Sequence, residues 1–156
     1  VGDGGLMNGT ANRIFSPDAE MSRAMVVTVL WRIEGAPEPT TSGTFSDVPD
    51  GQWYSKAVYW ANEKGIVQGF EGSFKPTTAI SREQLAAILY RYSGSPATSG
   101  VLDSFTDAST VSAWAQSALY WTVEQKYVGG VTETLLSPQS TATRAQVATI
   151  LFRMSE

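Results

Sequence analysis

The sequence predicts a mainly α fold: three helix-loop-helix repeats with short extended pieces, related by pseudo-threefold symmetry around a central three-helix bundle. Three observations predict it: an internal repeat, an apolar stripe at helical spacing in each copy, and a repeat of about 55 residues that is marginal on its own. The repeat is explicit. Phe45-Ser46-Asp47, Trp53, Trp60, Gly69, Phe74, Pro76, Ile80-Ser81-Arg82 and Leu89-Tyr90-Arg91 recur in order. Their counterparts are Phe105-Thr106-Asp107, Trp114, Trp121, Gly130, Leu136, Pro138, Ala142-Thr143-Arg144 and Leu151-Phe152-Arg153. Phe45 to Phe105 is 60 residues, and Arg82 to Arg144 is 62. An incomplete copy precedes them: Gly5, Gly9, Phe15, Pro17, Met21-Ser22-Arg23 and Leu30-Trp31-Arg32.

Taken in order, each complete copy reads as an extended entry, a helix, a turn, a second extended piece and a second helix. In the middle copy the first helix is predicted from about Trp53 to Lys64, with Trp53, Ala57, Trp60 and Ala61 on one face. Gly65 ends it as a left-handed residue would; Lys126 holds that place in the last copy, which predicts a different ending there. The second helices follow Ser22, Ser81 and Thr143 as N-caps. Gln84 and Gln146 complete capping boxes, and Met25 breaks the box in the first copy. Their stripes are Val26, Val29, Leu30, Ile33; Leu85, Ile88, Leu89, Tyr92; and Val147, Ile150, Leu151, Met154. Phe15, Phe45, Phe74, Phe105, Leu136, Trp60 and Trp121 are assigned to the core. Gly/Pro/Ser/Thr linkers at 35–43 and 93–100 separate the copies. The predicted division is 1–36, 37–96 and 97–156, all packed as one composite domain.

Composition narrows the chemistry. The chain has 156 residues, 42% of them hydrophobic and 17% charged, which is globular rather than disordered. With no Cys and no His, disulfides, thiolate nucleophiles, Cys/His zinc sites and His-dependent triads are excluded. A net charge of −4, with no three basic residues together, argues against nucleic acid. No apolar run approaches a membrane span and no signal peptide is visible, so membrane insertion is not expected. No acidic cluster has calcium-loop spacing, so no metal or cofactor is expected. A glycosidase needs two opposed carboxylates, and the repeats do not concentrate any, so the chain is not expected to be an enzyme.

These motifs together resemble the S-layer homology domain, which usually comes as three tandem repeats. The resemblance rests on Phe-x-Asp, the Trp-bearing helix, the glycines, Phe-x-Pro and the hydroxyl-Arg helix start, and it covers essentially the whole chain. The family's Ile-Thr-Arg-Ala-Glu signature reads here Met21-Ser22-Arg23-Ala24-Met25, Ile80-Ser81-Arg82-Glu83-Gln84 and Ala142-Thr143-Arg144-Ala145-Gln146. The hydroxyl and the Arg hold in all three; the final Glu holds in none. The resemblance implies non-covalent anchoring of a surface protein to the bacterial cell wall. The ligand it implies is a secondary cell-wall polymer, often bearing pyruvylated N-acetylmannosamine, bound in grooves between repeats with the signature Arg on the pyruvyl ketal.

The residues are compatible with that. Arg23, Arg82 and Arg144 each follow a cap, where a helix N-terminus offers N–H groups and partial positive charge, and the guanidinium adds a fork suited to carboxylate. Candidate ligand residues are therefore Arg23, Arg82, Arg144, the caps Ser22, Ser81 and Thr143, and Asp47, Asp107, Trp53 and Trp114. Plainer readings stand beside these. The Arg side chains can pair with Asp47 or Asp107, the two Asp can be turn residues, and Trp53 and Trp114 can be core. Arg32, Arg91 and Arg153, in last turns, complement the helix dipole. The rival function is a protein–protein docking or self-assembly module of a surface protein. The first copy lacks Phe-x-Asp and a Trp helix, so a missing N-terminal segment or a second chain is expected to complete it.

Overall fold

In the computed structural model of the chain, the described residues are 19–40, 45–68, 72–98, 105–128 and 135–155. Gly5, Gly9, Phe15, Pro17, Gly69 and Gly130 lie outside them. Among the described residues are five helices: α1 (Arg23–Ile33), α2 (Ser55–Glu63), α3 (Arg82–Tyr92), α4 (Gln116–Glu124) and α5 (Arg144–Met154). The fold is mainly α, and the anticipated extended pieces form no strand among the described residues. They shrink to isolated antiparallel bridges, Ser22 with Ala79 and Ser81 with Thr141.

The signature helices begin alike. Ser22, Ser81 and Thr143 sit in extended conformation, and their hydroxyls accept from the amides of Met25, Gln84 and Gln146. Gln84 and Gln146 return the bond to the cap amide at 2.9 and 3.0 Å. The expected break at Met25 does not occur. Its thioether sulphur takes the Ser22 amide at 3.4 Å, so the box closes with a weak acceptor.

The Trp-bearing helices start later than the periodicity predicted. α2 begins at Ser55, because the Ser55 hydroxyl is engaged in the preceding turn: it accepts from the Gln52 amide and donates to Pro49 O. Trp53 therefore lies outside the helix, 57% exposed, whereas Ala57, Trp60 and Ala61 are buried as predicted. The ending expected to differ at Lys126 does not. Lys126 adopts φ 65°, close to Gly65 at 74°. The amides of Lys126 and Tyr127 reach Val123 O and Thr122 O, as those of Gly65 and Ile66 reach Asn62 O and Ala61 O. Both helices end in the same left-handed motif.

The chain divides into two compact units, Val1–Ala79 and Ile80–Glu156, the boundary falling inside the second repeat. In the first, α1 packs on α2; in the second, α3 packs on α4 and on the 3-10 turn Ala113–Ala115. Each unit thus joins the signature helix of one repeat to the Trp-bearing half of the next. The first core holds Leu30, Val58, Trp60 and the Phe45–Phe74 ring pair at 5.6 Å; the second holds Leu85, Leu89, Leu119 and Leu136, with Trp121 against Tyr90 and Tyr127. All three stripe ends emerge from cover: Ile33 is exposed, and Tyr92 and Met154 are half-buried. Phe105, assigned to the core, is half-buried too.

Candidate functional site

Four of the sequence-predicted residues meet on a loop, Arg23 and Asp47 in unit 1 and Arg82 and Asp107 in unit 2. In unit 1 that loop is Phe74-Lys75-Pro76. Asp47 reaches it across 27 residues, accepting from the Phe74 amide with Oδ1 and from the Lys75 amide with Oδ2, both at 2.8 Å. Arg23 meets the other end of the same residue: its Nε donates to Phe74 O at 2.9 Å, and its guanidinium lies 4.8 Å from the Phe74 ring centroid. Unit 2 repeats this with Leu136. Asp107 accepts from the Leu136 and Ser137 amides at 2.9 Å each, and Arg82 Nε donates to Leu136 O at 2.8 Å. The second loop residue is left-handed in both, Lys75 at φ 60° and Ser137 at 50°, each just before a proline. Such a backbone is costly for a residue with a side chain, and the paired amide–carboxylate bonds hold it there.

The electrostatics follow from these bonds. Partial burial works to raise the Asp47 carboxyl, but the amides of Phe74 and Lys75, aided by the Lys75 charge, outweigh it and leave it below its ordinary value. For Asp107 the Leu136 amide is the largest influence, and it lies low as well. Burial lowers the Arg82 guanidinium, and Asp107 opposes that.

One part of the expected anion site is corrected. The N-terminal amides of α1 and α3 are not presented to a ligand. Arg23 N and Ala24 N donate to Thr78 O and Pro76 O, and Arg82 N and Glu83 N to Ser140 O and Pro138 O. The next amide in each goes to the cap hydroxyl of Ser22 or Ser81. The polypeptide's own carbonyls thus fill the positions an anion would take.

Arg82 is only 7% exposed, whereas Arg23 and Arg144 are half-buried. Arg144 opens α5 behind its cap Thr143. Trp114 falls in the turn Ala113–Ala115 and is 55% exposed; Trp53 sets its ring edge-on against Tyr54 at 5.0 Å. Trp60 and Trp121, matched to each other, are both buried.

Sequence reasoning missed two kinds of residue. Trp31 Nε1 donates to Pro37 O at 2.8 Å, and Tyr90 OH to Pro96 O at 2.7 Å, so an aromatic tip holds each exiting linker. The shared six-residue spacing to a proline was the available signal. Glu83 is buried and bonded to Ser112, and nothing in the repeat marks it, since Ala24 and Ala145 hold its place.

Comparison with known proteins agrees with this architecture. The S-layer homology domain matches residues 44–86 and 104–148, more than half of the chain. The chain is 32% identical over 99% of its length to a surface-layer 125 kDa protein of Lysinibacillus sphaericus, of which it spans 13%. It is 25% identical over 97% of its length to a cellulosome-anchoring protein of Acetivibrio thermocellus, of which it spans 35%. It is 28% identical, again over 97%, to an amylopullulanase of Thermoanaerobacterium thermosulfurigenes, spanning 8% of that enzyme. The chain therefore belongs to the S-layer homology domain family, and its place is the bacterial cell surface.

Proposed function

We propose that the chain is a non-catalytic anchoring module that holds a surface protein to the cell wall by binding an acidic secondary polymer, with pyruvylated amino sugar as its recognised unit. The observation that carries this reading is the contrast among matched tryptophans. Trp60 and Trp121 are buried, while Trp53 and Trp114 stand 57% and 55% exposed at equivalent places in both units. Leaving indole surface in water forgoes about 2 kcal/mol or more each, and a sugar ring stacked on it would recover that. Each unit also contains a signature Arg from one repeat and the exposed Trp from the next. The signature Arg, whose Nε holds the loop of its unit in Arg23 and Arg82, would bring the guanidinium's positive charge to a polymer carboxylate. The caps Ser22, Ser81 and Thr143, and Asp47 and Asp107, would serve by fixing the helix starts and loops around those Arg. Support for the anchoring role also comes from the relative whose name is cellulosome-anchoring protein.

The test is a pull-down on purified cell-wall sacculi before and after hydrofluoric acid strips the polymer. Binding should be lost on stripping. Trp53→Ala and Trp114→Ala should each weaken it about fivefold, or ~1 kcal/mol. Arg23→Ala, Arg82→Ala and Arg144→Ala should weaken it unequally. Undiminished binding by the single variants and the triple Arg variant would overturn the Arg assignment. Binding that survives stripping would favour protein docking instead.

A further inference from the structure

The turn that carries Trp114 is held by a carboxylate from another element. Glu83, the second residue of α3, is 4% exposed. One of its oxygens accepts from the Ser112 amide at 2.9 Å and the other from the Ser112 hydroxyl at 2.7 Å. Ser112 is the residue from which the turn Ala113–Ala115 starts, and α3 packs on that turn. A carboxylate taken out of water is costly unless donors meet it. Here both oxygens are met, and both donors belong to one residue two positions before the exposed indole.

Unit 1 closes the same segment differently. Ser55, 2% exposed, bonds the Gln52 amide and Pro49 O within the turn, and the Trp53 ring rests against Tyr54. Unit 2 has Gln116 where Ser55 stands and Ala115 where Tyr54 stands; unit 1 has Ala24 where Glu83 stands. The exchange is reciprocal: the unit without the local closure has the long-range bond.

We propose that Glu83 is a positioning residue, latching Ser112 to the first turn of α3 so that the Trp114 ring is presented to sugar in a fixed attitude. The presentation to sugar rests on the reading of Trp114 given above; the latch does not. A platform held before the ligand arrives loses less freedom on binding, so the gain is in affinity.

The test uses the full chain labelled with 5-fluorotryptophan, the Trp114 fluorine resonance being assigned with Trp114→Phe. Glu83→Ala should shift and broaden that resonance while the other four stay in place. Glu83→Gln, whose amide can still accept from Ser112 N and donate to its hydroxyl, should keep the parent spectrum. Ser112→Ala, which removes one of the two bonds, should move the resonance part of the way. In the sacculus pull-down, Glu83→Ala should weaken binding about as much as Trp114→Ala and add nothing to it in the double variant. An unmoved Trp114 resonance in Glu83→Ala, or equal movement of all five, overturns the latch. A shifted Trp114 resonance alongside undiminished sacculus binding by Trp114→Ala upholds the latch and overturns its role toward sugar.

Discussion

Phe74 and Leu136 are each gripped at both ends of a single residue, the amide by an Asp and the carbonyl by an Arg. Because the folded Asp47 and Asp107 titrate below their ordinary value, they add stability that is fully present above about pH 4 and lost as pH falls through their folded pKa. Asp47→Asn and Asp107→Asn should therefore be less stable than the parent at pH 7 and converge on it toward pH 3, read from urea midpoints across that range. A second residue works against the fold. Thr28 is 2% exposed within α1, and its hydroxyl has no hydrogen-bond partner among the described residues. Thr28→Val keeps the shape and removes that cost, so thermal unfolding should show a gain of about 1 kcal/mol. The sequence marked Asp47, Asp107 and the three Arg by repetition alone. What it could not show was that they act on one backbone residue, because that depends on a loop doubling back across nearly thirty positions of chain.

At the level of elements, helix existence was legible and helix ends were not. The capping residues and apolar stripes placed α1, α3 and α5, since those signals are local in sequence. Trp53 fitted the periodicity of α2 but fell outside it, because the hydroxyl of Ser55 is spent on the turn before the helix rather than on a cap within it. At Lys126 residue identity argued for a new ending, yet the chain keeps the Gly65 conformation and accepts the strain. Lys126→Gly should relieve it and raise stability by about 1 kcal/mol, measured by chemical denaturation.

Across the whole molecule the charge is −4, while the proposed ligand is itself acidic. Repulsion between exposed charges acts at long range and is screened by salt, whereas contacts at half-buried Arg are screened much less. The association rate with pyruvylated polymer should therefore rise from about 20 to 150 mM salt, measured by surface plasmon resonance. A fall across that range would mean that a basic surface, not local contact, drives capture.

The joining of one repeat's signature helix to the next repeat's loop bears on how such arrays can grow or shrink. A cut in the linker at 93–100 looks natural in the sequence. It would nonetheless strip α3 of Pro138 O and Ser140 O, the carbonyls its first two amides use. Gene rearrangements that respect the linkers therefore leave ragged ends, while those that break just ahead of a signature helix carry off a body with its seams intact.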